Sequence, residues 1–423
     1  MATSWVSIRI NWTIWKYMLN DAKTICLNAI ASCLPDESVK KALRDLDLKG
    51  NIYLVAVGKA AFSMAKAATE SVDIVKGIVI SKYGHIKGEI DKVECYEAGH
   101  PILDQSTINA TAKVIEMCKD LKEDDKVLFL LSGGASSLFE KPLVELDELQ
   151  NINDQMLKKG CSIFEINTIR KKLSMVKGGR FADLCKPAKV YSIILSDVLS
   201  DRLDTIGSGP TAKDETDGKE AIRLLDQYQI NVNEETRKII EESKPALTDN
   251  STNIIIGSVK ILCQNAMKEA EKLGYKAILL NDQLDCEARQ AGDYLYHEIM
   301  KHYDDKENIA LVMGGETVVH VKGTGKGGRN QELVFSQIEH IKGMNNVLIM
   351  SLGSDGTDGP TDAAGGYVDG SSYEKLQKQN LSFEAILDNN DSYYGLKTID
   401  SLIITGPTGT NVNDVCVALI KNS

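Results

Sequence analysis

The chain has 423 residues, a formal net charge of -11, 43% hydrophobic residues and 26% charged residues. This length fits two domains of roughly 150–250 residues better than one core. The acidic balance opposes a nucleic-acid or anionic-membrane partner, because phosphates are bound through clustered Lys and Arg. No apolar run reaches the roughly eighteen residues that cross a bilayer, and the first residues lack a signal-peptide pattern, so we expect a cytoplasmic protein. The nine cysteines lack zinc-ligand or CxxC spacing, and we expect them to be reduced.

Short apolar runs alternate with turns rich in Gly or Ser and with amphipathic helical stretches, which predicts βα units and a largely parallel sheet. The predicted strands are Ile52–Val57, Gly77–Ile80, Val127–Leu131, Val190–Leu195, Ile254–Ile256, Lys276–Leu280, Ile309–Met313, Val347–Ser351 and Leu402–Thr405. The predicted helices are Ala60–Glu70, Asp104–Leu121, Glu165–Leu184, Glu220–Tyr228, Glu234–Glu242, Lys260–Leu273, Cys286–His302, Asn330–Ile341 and Asn411–Ile420.

A charged stretch without a strand candidate, Thr211–Thr252, indicates where the domains meet. We place the boundary near 240, which gives an N-terminal domain of residues 1–240 and a C-terminal α/β domain of residues 241–423. The first helices could pack on either domain.

Ligands of open α/β sheets bind where strand-end loops meet helix N-termini, so the candidate residues are sought in these loops. Gly58 and Lys59 follow the first strand, and a lysine at a helix start is disfavoured unless an anion is bound there. The alternative is an ordinary surface lysine.

A second loop follows strand Val127–Leu131 and offers small residues whose amides and hydroxyls could cradle an anion. Its binding candidates are Ser132, Gly133, Gly134, Ser136 and Ser137. A tight turn is the alternative, and the Lys-Ser or Lys-Thr pair of a Walker A loop is missing.

Cations and a carboxylate accompany these loops. Arg170 and Lys177 lie seven residues apart on one predicted helical stripe, where both could face a cleft. Asp197 follows strand Val190–Leu195 and could hold Mg²⁺, accept a hydroxyl proton, or simply cap a turn.

The C-terminal half carries further candidates. Gly315, Glu316 and Thr317 follow a strand and lead to a glycine-rich run, residues 323–332, which contains Arg329 and Asn330. We interpret this run as a mobile phosphate-clamping loop. Residues 323–328 also match GxGxxG, but the preceding run alternates and no acidic ribose partner follows.

An acidic loop, residues 354–366, follows strand Val347–Ser351. Its Asp355 and Asp358 suit Mg²⁺ bridged to phosphates, with a solvated turn as the alternative. The six histidines form no catalytic set, and HExxH and GxSxG are missing. Anion-binding loops, cations and carboxylates together are typical of phosphoryl transfer.

The sequence resembles the class II glycerate kinases, the glycerate 2-kinase family with a MOFRL C-terminal domain. The matching segments are VGKAAFSMAKA (57–67), AGHPILDQST (98–107), LSGGASSL (131–138), INTIRKKLSMVKGGRFA (166–182), LSDV (195–198), SGPT (208–211), GGETVV (314–319), GKGGRNQE (325–332), SDGTDGPTDAAGG (354–366) and GPTGTNVND (406–414). One departure is Leu199-Ser200-Asp201, where relatives commonly carry a Gly-Asp pair.

The resemblance implies a Rossmann-like three-layer α/β/α N-terminal domain, a smaller α/β C-terminal domain and an active site in the cleft between them. It also implies phosphorylation of D-glycerate at its 2-hydroxyl with ATP and Mg²⁺, giving 2-phospho-D-glycerate. Lys59 and Arg329 match lysine and arginine residues thought essential in the family. We expect both to neutralise charge on glycerate and the transferring phosphoryl group. Asp197 would be a base or a metal ligand, and Glu316, Asp355 and Asp358 are further metal candidates.

Two rival functions are a nicotinamide-dependent hydroxypyruvate reductase, supported only by the GxGxxG match, and a non-enzymatic sensor of small acids. The residues alone decide neither which loop binds ATP nor which hydroxyl is phosphorylated. A homodimer is compatible with the sequence, which does not decide the oligomeric state.

Overall fold

The computed structural model describes residues 2–422, with side chains from Trp15 onward. The strands are β1 (Ile52–Val57), β2 (Lys76–Lys82), β3 (Val93–Ala98), β4 (Lys126–Leu131), β5 (Lys189–Leu195), β6 (Ser251–Gly257), β7 (Lys276–Leu284), β8 (Ile309–Gly315), β9 (Val347–Gly353), β10 (Gly365–Asp369), β11 (Leu402–Ile403) and β12 (Asp414–Ile420). The helices are α1 (Ala2–Ala31), α2 (Pro35–Arg44), α3 (Ala61–Thr69), α4 (Gln105–Cys118), α5 (Ala135–Leu138), α6 (Leu146–Lys158), α7 (Ile163–Lys172), α8 (Arg180–Leu184), α9 (Gly218–Gln227), α10 (Glu234–Glu241), α11 (Val259–Lys272), α12 (Ala288–His302), α13 (Arg329–Ser336), α14 (Ser372–Lys378), α15 (Phe383–Asp388) and α16 (Ser392–Thr398).

The chain divides into two compact units. The first unit is Pro35–Ile256, and the second unit combines Met1–Leu34 with Gly257–Ser423. This division lies beyond the boundary predicted near 240, because β6 is the edge strand next to β5 in the first sheet. Helix α1 belongs to the second unit and α2 to the first.

The first unit contains a six-stranded sheet in the order β3-β2-β1-β4-β5-β6, and the pairs from β3 to β5 are parallel. Its inner strands are buried on both faces, as expected for βα units. Val55 and Val57 belong to a core shared with α4 and α8. Their neighbours Leu54 and Ala56 are equally buried and point to the opposite face, because successive strand residues alternate.

The second unit contains a six-stranded mixed sheet in the order β11-β10-β9-β12-β8-β7. One face of this sheet packs on α12 and α13. The structure corrects one prediction here, since the segment predicted as helix Asn411–Ile420 contains β12, antiparallel to both β8 and β9. All residues of β12 are buried, and a short apolar run of this kind fits a buried strand or a buried helix equally well.

A second correction concerns the predicted helix Glu165–Leu184, which is interrupted after α7. Gly178 and Gly179 adopt positive φ angles of 58° and 83°, and α8 begins directly after them. Glycine tolerates this backbone conformation at little steric cost, so the pair leads the chain into α8, whereas α7 itself ends at Lys172. The remaining predicted helices and all predicted strands are present, with end shifts of up to five residues, the largest at α13, which ends at Ser336 rather than Ile341.

Candidate functional site

Three of the predicted loops meet at one edge of the first sheet. β1, β4 and β5 are adjacent and parallel, so the loops after them lie side by side. The Lys59 amide donates a hydrogen bond to the Gly133 carbonyl over 2.9 Å. The Ala60 amide donates to the Ser132 hydroxyl over 3.1 Å. The loops after β1 and β4 are therefore in direct contact within the first unit.

Gly58 makes this approach feasible. Its φ is +120°, and a Cβ there would overlap the carbonyl and hydroxyl oxygens of Ser132. A side chain at this position would push the β1 loop away from the β4 loop. Gly58 therefore serves the contact between loops that positions Lys59.

Two glycines bring the chemical groups together. The Asp197 carboxylate lies against Gly133, where it occupies the space of a Cβ. The His100 ring and the aliphatic stem of Lys59 lie in the same way against Gly134. A carboxylate, an imidazole and a lysine stem thus surround the glycine pair, and no side chain among residues 15–422 forms an ion pair with the Lys59 ammonium.

The Asp197 carboxylate, the His100 ring and the glycine pair line a cavity of about 640 Å³, which we call the N-terminal cavity, and Lys59 lies next to this lining against Gly134. Its walls come from the strand-end loops, from α6 and α7, and from the segment after His100. The lining residues are His100, Pro101, Ile102, Leu103, Ser132, Gly133, Gly134, Ser136, Ser137, Gln150, Asn153, Asp154, Leu157, Ile163, Ile166, Asn167, Arg170, Asp197, Val198, Thr205 and Gly207.

His100 is a site residue that our sequence reasoning missed. Its Nδ1 is buried without a hydrogen-bond partner among the described groups. Burial lowers the pKa of its imidazole, and the neighbouring Lys59, Lys82 and His85 lower it further. The available signal was the AGHPILDQST segment, which resembled the family but suggested no role for the histidine.

Arg170 faces the N-terminal cavity as predicted, but Lys177 does not. The Arg170 Nη2 donates to the Ser136 carbonyl over 2.9 Å, while its Nε is buried and unpartnered. Lys177 is fully buried, and its Nζ donates to the carbonyls of Ser136 and Phe139 over 2.9 and 3.0 Å. The predicted binding role of Lys177 is wrong because the break after α7 turns this side chain into the core.

The serine hydroxyls are less available than predicted. Ser132 donates to the Val57 carbonyl over 3.3 Å, and Ser137 donates to the Gly134 carbonyl over 3.2 Å. Ser136 lines the cavity, and its carbonyl accepts from both Arg170 and Lys177. The loop is thus fixed mainly by internal hydrogen bonds.

The second unit holds a separate group that we call the arginine cluster, namely Arg329, Asp414, Glu316 and Asn413. Arg329 donates to both carboxylate oxygens of Asp414 over 2.5 and 3.0 Å, and to Glu316 over 3.1 Å. Asn413 donates to the other Glu316 oxygen over 3.2 Å. Asp414, at the start of β12, was not a sequence candidate because its segment was predicted as a helix.

Electrostatics in the arginine cluster are shaped by burial. Burial raises the pKa of Asp414 to about 6, although the Arg329 guanidinium acts in the opposite direction. Burial also disfavours the Arg329 charge, but Asp414 and then Glu316 outweigh it and raise the pKa of the guanidinium. Both groups are therefore ionised at neutral pH, and a paired, bidentate guanidinium results.

The two aspartates of the acidic loop, which were predicted as metal candidates, accept hydrogen bonds from the protein itself. The carboxylate of Asp358 is buried and accepts hydrogen bonds from the backbone and side-chain amides of Asn330 and Gln331. Asp355 accepts from the amide and hydroxyl of Thr357 over 2.9 and 3.0 Å, which is the geometry of a turn. Within residues 2–422, the structure contains no group of three His, Cys, Asp or Glu side chains that could hold a metal ion.

The glycine-rich run is a packed loop rather than a mobile clamp. The amides of Lys322 and Gly323 donate to the Asn390 side chain over 2.8 and 3.1 Å. The amides of Thr324 and Lys326 donate to the side chains of Asn389 and Asp391. No strand is formed between β8 and α13 in the described chain, so the GxGxxG match lacks the strand of a dinucleotide fold.

Gly315, Thr317 and Asn330 lie around a void of about 10 Å³. Such a volume holds at most about one water molecule. Gly315 is needed because a Cβ would overlap the backbone of Leu284. The structure therefore places these predicted binding residues in packing positions.

Comparisons with known proteins cover most of the chain. The model of a domain of unknown function, DUF4147, matches residues 21–241, and the MOFRL family model matches residues 309–414. A D-glycerate 2-kinase of Thermotoga maritima is 49% identical over 94% of this chain and 97% of the relative. A glycerate 2-kinase of Pyrococcus horikoshii is 38% identical over 94% of this chain and 93% of the relative.

A solved structure supports the same assignment. The crystal structure of a glycerate kinase from Thermotoga maritima matches with a TM-score of 0.93 and 47% identity, over 96% of this chain and 100% of that chain. No helix that the structure describes is long and apolar enough to span a membrane. The coverage and identity of these matches show that the chain belongs to the glycerate kinase family with a MOFRL C-terminal domain.

Proposed function

We propose that this protein transfers the γ-phosphoryl group of ATP to the 2-hydroxyl of D-glycerate, giving 2-phospho-D-glycerate and ADP. The relatives named D-glycerate 2-kinase and glycerate 2-kinase support this reaction. The observation that carries it in the structure is the arrangement of Lys59 and Asp197 around the glycine pair at the N-terminal cavity. An ammonium without an ion-pair partner suits an anionic substrate, and the carboxylate suits proton or metal chemistry.

The reaction forms a bond between the glycerate oxygen and the γ-phosphorus and breaks the bond from that phosphorus to the bridging β,γ-oxygen. ADP takes the electron pair of the broken bond, and the hydroxyl proton must leave the attacking oxygen. Catalysis of such transfers consists mainly of positioning and charge stabilisation. Lys59 is proposed to stabilise the negative charge, and Asp197 to accept the proton.

The alternative role of Asp197 is to hold Mg²⁺ in place of accepting the proton. Mg²⁺ is usually bound by one or two carboxylates together with substrate phosphates, so a three-carboxylate cage is not required. The Asp197 carboxylate, half-buried beside the cavity loop, fits this pattern, whereas Asp358 does not because its oxygens accept protein amides. The ion, when bound, supplies charge neutralisation on the phosphates.

Arg329 is proposed as a second charge-stabilising residue. Three of its five N–H groups donate to Asp414 and Glu316, so two remain for a phosphate, and release of one partner would free more. The Glu316 side chain is 48% exposed and the Asp414 side chain 9%, so Glu316 is the replaceable partner. Asp414 would keep the guanidinium oriented throughout. Cytoplasmic location and a homodimer stay predictions.

A second candidate follows from one relative. A protein of Agrobacterium vitis, 34% identical over 93% of this chain and 92% of the relative, is provisionally named a hydroxypyruvate reductase. The packed glycine-rich run gives the reductase alternative no dinucleotide-binding fingerprint. It remains a specific alternative that can be measured.

The test uses the full chain with each substrate set in parallel. We expect ADP to accumulate only when D-glycerate, ATP and Mg²⁺ are all present, as separated by ion-exchange chromatography. Hydroxypyruvate with NADH or NADPH should give no loss of absorbance at the nicotinamide band. Nicotinamide oxidation without ADP formation would replace the kinase proposal with the reductase.

A further inference from the structure

The N-terminal cavity is bordered by two helices, and each presents one continuous face to it. α6 contributes Gln150, Asn153, Asp154 and Leu157, and α7 contributes Ile163, Ile166, Asn167 and Arg170. Both sets follow the i, i+3, i+4, i+7 spacing of a single helical face. Each of these two walls therefore extends from position i to position i+7 of a helix. The cavity is elongated along these helices.

The chemistry of the wall changes along α7. Ile163 lies at the start of the helix and Arg170 lies seven residues later, which corresponds to roughly 10 Å along the axis. Arg170 contacts the Ser136 carbonyl beside the Lys59 and Asp197 end. The cavity thus has a charged end and an apolar end, separated by about the length between a base and its outer phosphates.

The apolar end is formed by exposed aliphatic side chains. Leu157, near the end of α6, and Ile163, at the start of α7, are 68% and 62% exposed, yet both line the cavity. Exposed apolar groups clustered at a pocket usually mark a ligand surface. Aliphatic side chains pack well on the face of a flat aromatic ring. A three-carbon hydroxy acid has no comparable apolar surface for them to contact.

The size of the cavity leads to the same ligand class. Its volume of about 640 Å³ falls in the range of about 300–1,000 Å³ that is typical of sites for drug-sized ligands. D-Glycerate would leave most of this space unfilled. A nucleotide is large enough to extend from the charged end to the apolar end.

One polar group between the two ends lacks a partner. The Oδ1 atom of Asn153 is buried without a hydrogen bond in the described structure, whereas the neighbouring Gln150 donates to the Leu103 carbonyl over 3.0 Å. A carboxamide offers a donor and an acceptor side by side, and this pair matches the N6 and N7 edge of adenine. Guanine presents two acceptors at the equivalent edge and matches it less well.

We propose that the purine base of the phosphoryl donor binds at the apolar end of the N-terminal cavity, against Leu157 and Ile163, with the Asn153 carboxamide selecting adenine. The phosphates then follow α7 toward Arg170 and the Ser132–Ser137 loop. This assignment rests on the proposed kinase function only in that it takes the donor to be a nucleotide. It gives the N-terminal cavity, rather than the glycine-rich run of the second unit, the base-binding role.

The test measures binding by isothermal titration calorimetry, with ADP, GDP and inorganic tripolyphosphate as probes of the full-length protein. Asn153→Ala should weaken ADP binding by about fivefold or more and reduce the preference for ADP over GDP. Leu157→Ser should weaken ADP and GDP alike by about threefold or more, because apolar contact does not distinguish the bases. Tripolyphosphate, which lacks a base, should bind both variants as it binds the unmodified chain.

The controls are Asn151→Ala and Leu247→Ser. Asn151 is an exposed asparagine of α6 outside the cavity lining, and Leu247 is a leucine that is 70% exposed and also outside it. Unchanged ADP affinity in both cavity variants would overturn the proposal, as would an equal loss in the controls. Heats of ADP binding require no turnover, so an inactive protein with the predicted binding pattern would refute the kinase proposal alone.

Discussion

Lys59 is positioned by contacts with the neighbouring loop and not by an ion pair. Its amide is anchored on Gly133, its stem lies against Gly134, and no described side chain neutralises its ammonium through an ion pair. A cation held in this way beside a cavity is available for an anionic ligand. This makes Lys59 the most direct residue-scale test of the site.

Lys59→Met should lower kcat by about a thousandfold, since removal of one preorganised charge-stabilising group typically costs about this much. Its melting temperature should stay close to that of the unmodified protein, because no ion pair is lost. Steady-state kinetics and thermal unfolding measure the two effects. Lys66→Met is the matched control, since Lys66 is exposed on α3. Near-normal turnover in Lys59→Met would remove Lys59 from the mechanism.

Asp414 is proposed to position Arg329 rather than to touch substrate. Burial raises the pKa of Asp414 to about 6, with Arg329 lowering it and the nearby Asp358 raising it. As the pH falls through about 6, the carboxylate becomes neutral and the bidentate hold on Arg329 is lost. The folded chain binds this proton more tightly than the unfolded chain, whose reference pKa is 3.8, so protonation itself does not destabilise the fold.

Activity should therefore decline below pH 6 with an apparent pKa near that value, while the fold persists. In Asp414→Asn the maximal rate should be lower and the decline near pH 6 should disappear. The profile of kcat from pH 5 to 8 checks this, with circular dichroism at each pH. Arg329→Ala should lose turnover by orders of magnitude at every pH. An acid decline that is retained in Asp414→Asn would assign the titration to another group.

At the scale of elements, the connection from α7 to α8 stabilises the Ser132–Ser137 loop through Lys177. Lys177 donates to two carbonyls of residues 136–139 and lies 3.7 Å from the carboxylate of buried Glu140. Burial lowers the pKa of Lys177 to about 8 from a reference of 10.5, with Glu140 opposing the shift. Between these values the unfolded chain binds more protons, so this group makes stability rise with pH in that window.

Lys177→Met should reduce the free energy of unfolding by about 3 kcal/mol or more, because it leaves Glu140 as a buried charge without its cation. Urea denaturation at neutral pH measures the loss. Lys158→Met is the matched control, since Lys158 lies on α6 with 73% of its side chain exposed. Equal stability of the two variants would show that Lys177 does not brace the loop.

The loops at strand ends could be predicted because a buried parallel strand followed by small residues is a local pattern. Residues Lys59, Ser136 and Asp197 were found in this way. The orientation of Lys177 could not be predicted, since it depends on the end of α7 at Lys172, which the helical spacing of the apolar residues conceals. β12 was missed for a related reason, because a fully buried strand loses the alternation that identifies strands.

His100 and Asn153 illustrate a different limit. Asn153 lies outside the segments that resemble the family, and the AGHPILDQST segment suggested no role for His100. Each residue becomes significant only through burial of an unpaired atom beside the cavity. Such unpaired atoms arise from tertiary packing and have no signal in residue spacing.

At the scale of the molecule, each compact unit has its own sheet, core and charged cluster. The first unit holds the cavity with Lys59 and Asp197, and the second holds the arginine cluster. The predicted two-domain α/β architecture is confirmed, with a parallel arrangement in the first sheet and a mixed one in the second. Because the chain belongs to the glycerate kinase family, we expect both charged clusters to serve the same phosphoryl transfer.

Proton-coupled ³¹P NMR of the product formed from D-glycerate, ATP and Mg²⁺ tests this reaction most directly. A phosphate on the 2-hydroxyl couples to one carbon-bound proton and appears as a doublet, whereas a phosphate on the 3-hydroxyl couples to two and appears as a triplet. We predict the doublet, present with the unmodified chain and greatly reduced with Lys59→Met. A triplet, or no phosphorylated glycerate at all, would contradict the proposed function.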